Sequence, residues 1–415
     1  MRKNHGVIGG DLKIFKKKLH SLKKNSNFAF QISANMSMEI INGICYVPVG
    51  TIKIEDCAFL NKTSLITICI PDGVTEIGYS AFEGCTSLKE ISIPDSVSYI
   101  YSGAFENCTS LETISIGKGL EDTGMGVFRG CTNIKSVYFN AVEFRNSNHL
   151  FSFSFDHKSI ESFHFGNDVK YIPNGICVNS HFSDINIPNG VKRIGAHAFS
   201  CCHKLKSISI PNSVESIHDC AFEACTSLTS ISFPNNLHCL GGGVLEDCHA
   251  LSSVTLPDSI SYIPSKMFKR CFDLKAIIIP DNVKGIYDEA FQDCYSLISI
   301  TLSNDVEEIG PYVFNGCYKL KFIIFPNSVK YIGNDSFKDC NSLSSIIYKG
   351  TINEWKQIKN YADYDAVSTR KVHCTDGDII LKSPSKQFLL WLKKIFLACF
   401  FPILLVILLI LYLMY

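Results

Sequence analysis

The sequence predicts a solenoid of stacked coils, each of which contributes one strand to a parallel β-sheet. One pattern returns every 23 residues from Phe182 to Tyr348. Within each copy, apolar and polar residues alternate over a few positions, as they do in a half-buried strand. A proline followed by Asn or Asp then ends most of the strands. A fixed period of this length is typical of solenoids, because a single coil cannot bury its apolar side alone.

The copy LKSISIPNSVESIHDCAFEAC, residues 205–225, shows what each part of a coil does. Ile208 and the isoleucine two residues later point inward from the strand. Pro211 fixes its own φ and has no N–H for a ladder, so the strand ends there. Ile217 belongs to a second inward pair, and Phe222 places an aromatic ring in the core.

Thirteen equivalent apolar positions mark the coils, and an incomplete coil that begins near Ile44 precedes them. The spacing is 26 residues before Ile160 and 22 before Phe182, so the period breaks between about Asn140 and Phe182. The sequence leaves open whether this irregular coil is a hinge or an insertion that carries recognition. The thirteen positions are Leu65, Leu88, Leu111, Ile134, Ile160, Phe182, Leu205, Leu228, Leu251, Leu274, Leu297, Leu320 and Leu343.

The chain has 19 cysteines, and ten of them share one place, three residues before the repeat position. A small residue that recurs once per coil predicts an inward-facing ladder of reduced thiols, since a buried free cysteine packs as a small hydrophobe. Disulfides between coils or a string of metal ions are the alternatives, but no CxxC pair or paired histidine spacing supports a metal. Reduced cysteines favour a reducing compartment. The ten are Cys85, Cys108, Cys131, Cys202, Cys225, Cys248, Cys271, Cys294, Cys317 and Cys340.

The consensus of the copies, LxxIxIPxxVxxIxxxAFxxCxxL, resembles the BspA-like leucine-rich repeat of microbial and protist surface antigens. The resemblance covers about residues 44–350. It implies a leucine-rich-repeat solenoid of parallel β-sheet coils joined by short turns or 3-10 segments, exposed at the cell surface. Ile347 to Thr351, with Glu354 and Trp355, looks like the unit that caps such arrays, and residues 372–378 resemble its final strand and turn. A cap is needed because the last coil would otherwise expose its apolar face.

The composition changes abruptly after Ser383, and residues 395–415 carry no charged side chain. At 1.5 Å per residue they span about 31 Å, the thickness of a bilayer core. A buried helix of the cap is the alternative, yet soluble helices are rarely apolar all round over this length. The sequence therefore predicts one C-terminal transmembrane helix. The predicted divisions are a basic N-terminal segment (1–43), the solenoid (44–349), the cap (350–382), a linker (383–394) and the transmembrane helix (395–415).

Both ends of the chain bear on which side of the membrane the solenoid faces. Residues 1–24 carry eight Lys and Arg side chains against one Asp, and no apolar run follows them, so we expect no secretory signal peptide. They form a solvated leader or a short basic amphipathic helix on anionic lipid. Lys393 and Lys394 flank the predicted helix, which favours a tail-anchored protein with a cytosolic solenoid. The family resemblance favours the cell surface instead, and a glycolipid anchor is a third possibility.

Nothing in the sequence predicts catalysis, a cofactor or a metal site. Lys plus Arg and Asp plus Glu both number 39, so the overall charge does not favour a nucleic-acid partner. The motifs of phosphate loops, metalloproteases and nucleophile elbows are absent. The register is interpreted as placing no carboxylate pair and no Cys/His pair on one face. Gly241 to Gly243 are interpreted as a turn that relaxes one coil.

The register does predict a binding face. Alternate strand residues point away from the core, and most of them are small and hydroxylated. Towards the C-terminus this face becomes apolar, and an exposed apolar cluster marks an interaction site. Cover by the cap or by the membrane-proximal segment is the alternative. The predicted partner-binding residues are Ile278, Phe322, Ile324 and Ile347, with Tyr138 and His164 as a second candidate.

The leading hypothesis is a membrane-anchored leucine-rich-repeat protein of the surface-antigen or adhesion class. It binds a protein or another cell-surface macromolecule through its sheet face and contacts membrane lipid through its C-terminal helix. The alternative is a cytosol-facing, tail-anchored scaffold for protein complexes on an internal membrane.

Overall fold

A computed structural model of the chain describes residues 38–144, 153, 155, 159–360 and 371–381. Residues one repeat apart lie side by side in parallel strands, as Ile231 and Val254 do. The predicted parallel solenoid is therefore confirmed. Residues 1–37 of the basic segment, the linker and the predicted membrane helix lie outside the described residues. Within the described part, no helix has the length and apolar character needed to cross a bilayer.

One side of the solenoid carries the longer strands, which we call the face ladder. Its strands are parallel, except that the first pairs antiparallel with the second, and the last with the one before it. Two single bridges, Asn186–Ser209 and Ser207–Ser230, continue the ladder from Asn186 to Ser230. Numbered in chain order, the strands are β1 (Ile40–Ile41), β2 (Ile44–Tyr46), β4 (Thr67–Cys69), β6 (Glu90–Ser92), β8 (Thr113–Ile116), β10 (Ser136–Phe139), β11 (Ser162–Phe165), β15 (Ser230–Ser232), β17 (Ser253–Thr255), β19 (Ala276–Ile278), β21 (Ser299–Thr301), β23 (Phe322–Phe325), β25 (Ser345–Tyr348), β27 (Lys371–Cys374) and β28 (Gly377–Ile380).

A second ladder of two-residue strands follows the proline turns. In most of these strands the first residue is at least partly exposed and the second is buried, because successive side chains of a strand point to opposite sides. The strands are β3 (Lys53–Ile54), β5 (Glu76–Ile77), β7 (Tyr99–Ile100), β9 (Asp122–Thr123), β12 (Tyr171–Ile172), β13 (Arg193–Ile194), β14 (Ser216–Ile217), β16 (Cys239–Leu240), β18 (Tyr262–Ile263), β20 (Gly285–Ile286), β22 (Glu308–Ile309), β24 (Tyr331–Ile332) and β26 (Lys359–Asn360).

The third side of each coil is a run of turns, which we call the turn ladder. In one coil Cys220, Phe222 and Ala224 donate their N–H groups to carbonyls of the next coil at 2.9, 3.0 and 2.7 Å. Cys220 and Ala224 have left-handed backbone conformations, with φ of 55° for each. Of the two expected forms, short turns or 3-10 segments, this side therefore takes the turns. Left-handed residues four positions apart, with the turn between them, direct alternate N–H groups towards the neighbouring coil, whereas a helix would point them along its own axis.

Stacked phenylalanines and the cysteine ladder fill the core. The rings of Phe199 and Phe222 lie 5.3 Å apart and nearly parallel, an arrangement repeated at several other pairs of neighbouring coils. All ten ladder cysteines are buried free thiols. Each donates to a backbone carbonyl of the preceding coil at 3.0 to 3.3 Å, as Cys85 does to Phe59. Burial raises the pKa of the Cys85 thiol to about 11, so it is a protonated donor at neutral pH.

The irregular coil is tied to its neighbours by aromatic packing. The Phe153 carbonyl accepts the N–H of Phe128 at 2.8 Å. The Val127 carbonyl accepts the equivalent N–H one coil earlier. Phe144, Phe153 and Phe155 are buried, and the ring of Phe155 lies 5.2 Å from that of Phe128. The described phenylalanines of this coil therefore belong to the core.

The C-terminal end is closed by a short helix and a hairpin. Helix α1 (Ile352–Gln357) begins with a capping box between Thr351 and Glu354, and its Trp355 is buried. The Trp355 ring packs against Tyr348 and Phe325 of the last coils, at 5.2 and 5.8 Å. β27 and β28 then pair antiparallel and end the face ladder. These elements cover the apolar end that a repeat array would otherwise expose.

Candidate interaction surface

The strongest candidate surface lies on the face ladder between β19 and β25. In these strands Ile277, Ile300, Ile323 and Ile346 point inward and are buried. Their neighbours therefore point outward, and the register places those of successive strands side by side. Ile278 pairs with Thr301, Thr301 with Ile324, and Ile324 with Ile347.

Apolar side chains are exposed along this part of the ladder. Ile278 is 86% exposed, Phe322 38% and Ile347 37%, and Ile324 between them is half-buried. Ile298, which precedes β21, is 40% exposed and extends the same surface. We call these five residues the apolar patch. Four of them are predicted binding residues, and the structure brings them onto neighbouring strands with only β21 between Ile278 and Ile324.

Lysines border the apolar patch on one side. Lys275 and Lys321 lie on the coils before and after Ile298, because Ile298 donates its N–H to the Lys275 carbonyl and Lys321 donates to that of Ile298. Both lysines are exposed. The patch is therefore apolar at its centre and positively charged along one edge.

At the end of the ladder, the His373 imidazole lies 2.8 Å from the Asp378 carboxylate across the hairpin.

Tyr138 and His164 form a separate pair. They face each other on β10 and β11, and their rings stack at 4.9 Å with an interplanar angle of 21°. Both are half-buried. Several coils separate this pair from the apolar patch, so the structure does not join the two predicted groups into one site. Their role in binding stays a prediction.

An aromatic ladder beside the face was missed by the sequence reasoning. The rings of His249, Phe272, Tyr295 and Tyr318 stack in turn, with centroids 4.4, 4.7 and 5.1 Å apart. Each of these residues directly follows a ladder cysteine, so the 23-residue repeat alone could have predicted that the four rings lie side by side. The rings stack on each other and present mainly their edges to solvent, with Tyr318 the most exposed.

The turn ladder contains a group of possible metal ligands. Donor atoms of His197, Cys220 and Glu223 lie within 4.8 Å of one another. Burial, followed by the carboxylates of Glu223 and its acidic neighbours, raises the pKa of the Cys220 thiol to about 12. The expectation that the register places no Cys/His pair on one face is therefore wrong, because His197 and Cys220 are one period apart.

The family model of the BspA type leucine rich repeat region matches residues 52–176, 148–272 and 243–367, which together span most of the chain. No protein with curated annotation matches the sequence significantly. Several solved structures are similar to the chain.

A leucine-rich repeat protein from Bacteroides ovatus has 23% identity, covers 81% of this chain and 94% of its own, and gives a TM-score of 0.52. A leucine rich cell surface protein from Faecalibacterium prausnitzii has 26% identity, covers 76% and 81%, and gives a TM-score of 0.40. A leucine-rich repeat protein from Eubacterium ventriosum has 19% identity, covers 72% and 91%, and gives 0.46.

The first of these structures supports the solenoid fold, and the extent of the family match assigns the chain itself. This protein therefore belongs to the BspA-type leucine-rich repeat family.

Proposed function

We propose that this protein is a binding scaffold without enzymatic activity, and that its apolar patch holds a protein partner. The observation that carries the proposal is the exposure of Ile278, at 86%, together with the four other apolar side chains of the patch, on a sheet of small polar residues. Desolvating such a cluster favours association, since each buried apolar Å² contributes about 25 cal/mol.

The chemistry of the patch indicates what kind of partner fits. An apolar centre requires apolar or aromatic side chains on the partner, as in the cores of protein interfaces. Lys275 and Lys321 along the edge favour acidic residues around that centre, because complementary charge steers the encounter and fixes orientation. We therefore propose a partner surface with an apolar centre and an acidic border.

Site-specific crosslinking tests the patch. A photoreactive amino acid at Ile278 is expected to crosslink a partner in cells that produce this protein. The double variant Phe322→Ser and Ile324→Ser is expected to lose the crosslink while keeping its circular dichroism and melting temperature. Ile44→Ser with Tyr46→Ser is the matched control, because it removes outward residues of the same type from β2 at the other end of the ladder. Equal crosslinking by the folded Phe322/Ile324 variant would exclude the patch.

We also propose that residues 395–415 anchor the scaffold in a membrane, with the solenoid at the cell surface. The uncharged composition of this segment supports an anchor, and the family resemblance supports the surface. The second candidate, a scaffold facing the cytosol, is favoured by Lys393 and Lys394 before the segment. Protease treatment of intact cells separates the two. Loss of the solenoid indicates exposure outside, whereas protection until the cells are permeabilised indicates the cytosolic side.

A further inference from the structure

Three side chains with metal-binding atoms meet on the turn ladder, away from the apolar patch. His197 and Cys220 occupy the same place in neighbouring coils, and both have left-handed backbones with φ of 54° and 55°. Glu223 follows Cys220 by three residues, and its Oε2 lies 3.2 Å from Nδ1 of His197. With Sγ of Cys220, the three donor atoms lie within 4.8 Å of one another. No other such group occurs among the residues that the structure describes.

This mixture of donors suits zinc. Zinc takes imidazole nitrogen, thiolate sulfur and carboxylate oxygen at about 2.0–2.3 Å, so the donor atoms of a tetrahedral site lie roughly 3.5 Å apart. The separation of 3.2 Å between His197 and Glu223 is close to that value, and the Cys220 sulfur lies within 4.8 Å of both, so a side-chain rotation brings it into place. Harder ions such as magnesium prefer oxygen ligands and do not suit the thiol.

The backbone holds the three residues in place. His197 donates its N–H to the Asp219 carbonyl at 2.9 Å, which joins the two coils directly at the cluster. Glu223 donates its N–H to the Cys220 carbonyl at 3.1 Å, closing the turn between these two ligands. The Ser200 hydroxyl donates to Oε2 of Glu223 at 3.2 Å. Such a second contact to a ligating carboxylate orients it, as outer hydrogen bonds do in known metal sites.

A glycine keeps the space beside the thiol open. In the next coil Gly243 has the place of Cys220, with φ of 60°. A Cβ on Gly243 would lie 3.1 Å from Sγ of Cys220 and 3.2 Å from Oε2 of Glu246. The following coils carry Lys266 and Glu289 at this place, so a side chain is tolerated there elsewhere. Gly243, interpreted from the sequence as part of a turn that relaxes one coil, therefore leaves room next to the Cys220 sulfur.

The charges around the cluster favour a cation. Glu223, Glu246 and Asp219 all contribute negative charge near the Cys220 thiol. Lys269 and Arg270 approach Glu246 at 4.0 and 3.6 Å and offset part of this charge on the outer side. The Glu223 carboxylate lies 3.2 Å from the imidazole of His197, which is itself a ligand when neutral.

We propose that His197, Cys220 and Glu223 bind one zinc ion that crosslinks two neighbouring coils. All three residues are half-exposed, so the fourth position faces solvent and takes a water molecule. Binding requires the thiol to lose its proton, which passes to the buffer. The ion fastens two coils that are already joined at this edge by backbone hydrogen bonds and by the contacts of Glu223 with Ser200 and His197.

Metal titration of the purified full-length protein tests the site. After removal of bound metal by a chelator, Zn²⁺ is expected to bind with one equivalent in calorimetry and to raise the melting temperature. Co²⁺, used as a spectroscopic probe, is expected to give a thiolate-to-cobalt charge-transfer band in the near ultraviolet. Cys220→Ser should abolish the band. His197→Asn and Glu223→Gln should each weaken Zn²⁺ binding at least tenfold.

The variants are chosen so that the fold is kept. Ser80 occupies the position of Cys220 in another coil with φ of 47°, and asparagine tolerates the left-handed backbone of His197. Cys57→Ser is the matched control, since Cys57 has the same turn position, a φ of 56° and an exposed side chain. It should bind Zn²⁺ and Co²⁺ as the wild type does. Absence of one-equivalent binding by the wild type, or wild-type binding by folded Cys220→Ser and His197→Asn, would overturn the proposal.

Discussion

The thiol of Cys225 donates to the carbonyl oxygen of Phe199 in the preceding coil, at 3.2 Å. The same carbonyl accepts the backbone N–H of Cys202 at 3.3 Å, so both of its lone pairs are used. The cysteine ladder is therefore a row of donors as well as a row of small apolar residues.

Cys225→Ala should lower the free energy of unfolding by about 1–2 kcal/mol, because it removes a buried hydrogen bond and leaves a small cavity. Urea denaturation followed by circular dichroism measures the change. Cys239→Ala, at an exposed position, is the control and should change stability by no more than about 0.5 kcal/mol. An equal effect at the two positions would show that the ladder position has no special role.

Phe222→Ala should be among the most destabilising single changes. The Phe222 side chain is fully buried and its ring stacks on that of Phe199, so its loss is expected to cost about 3–5 kcal/mol. Coils of a solenoid stabilise each other only through neighbours, so thermal unfolding should also separate into two steps on either side of the variant. Phe322→Ala, on the exposed face, serves as the control. A single unshifted transition for Phe222→Ala would contradict the stacked core.

Ala224→Gly should stabilise the protein. Ala224 has φ of 55°, which costs an L-residue about 1–2 kcal/mol. Glycine avoids this cost but loses about 0.5–1 kcal/mol through the freedom of its unfolded chain. The expected net gain is therefore about 0.5–1 kcal/mol, measured by chemical denaturation. Ala276→Gly in β19 should instead lower the free energy of unfolding. The same substitution is therefore expected to have opposite effects on stability at the two positions.

His218 should make the fold sensitive to acid. Burial, followed by the nearby Arg193 guanidinium, holds the pKa of His218 below its ordinary value. As pH falls through about 6.5, the unfolded chain takes up this proton before the folded one does, so stability is lost. The melting temperature should therefore drop less between pH 7.5 and 5.5 in His218→Gln than in the wild type. An equal drop in both proteins would contradict this.

Much of the architecture could be predicted because solenoid packing repeats in sequence. The position of Leu205 within its repeat determines which neighbouring side chains point into the core. The outward position of Ile278 follows directly from the alternation of side chains along the strand. The left-handed turns could not be predicted, because residues such as Ala224 and Tyr312 carry no local signal for a positive φ. Their conformation comes from the hydrogen bonds to the next coil.

The metal-ligand group could have been found from the register, since His197 and Cys220 are one period apart and Glu223 lies three residues further on. Strand alternation gives no signal for it, because all three residues lie on the turns. The turn positions are equally close in space, and they carry more varied side chains.

Phe199, Phe222 and their counterparts occupy the same position in successive coils, and this equivalence affects how the gene can gain or lose repeats. Removing or duplicating one whole period between Cys225 and Cys248 rejoins surfaces of the same shape, so unequal recombination alters the length of the array without breaking its interior. The coil that contains Phe153 has no such freedom. The spacing there is 26 and then 22 residues, so a copy of it would break the 23-residue register.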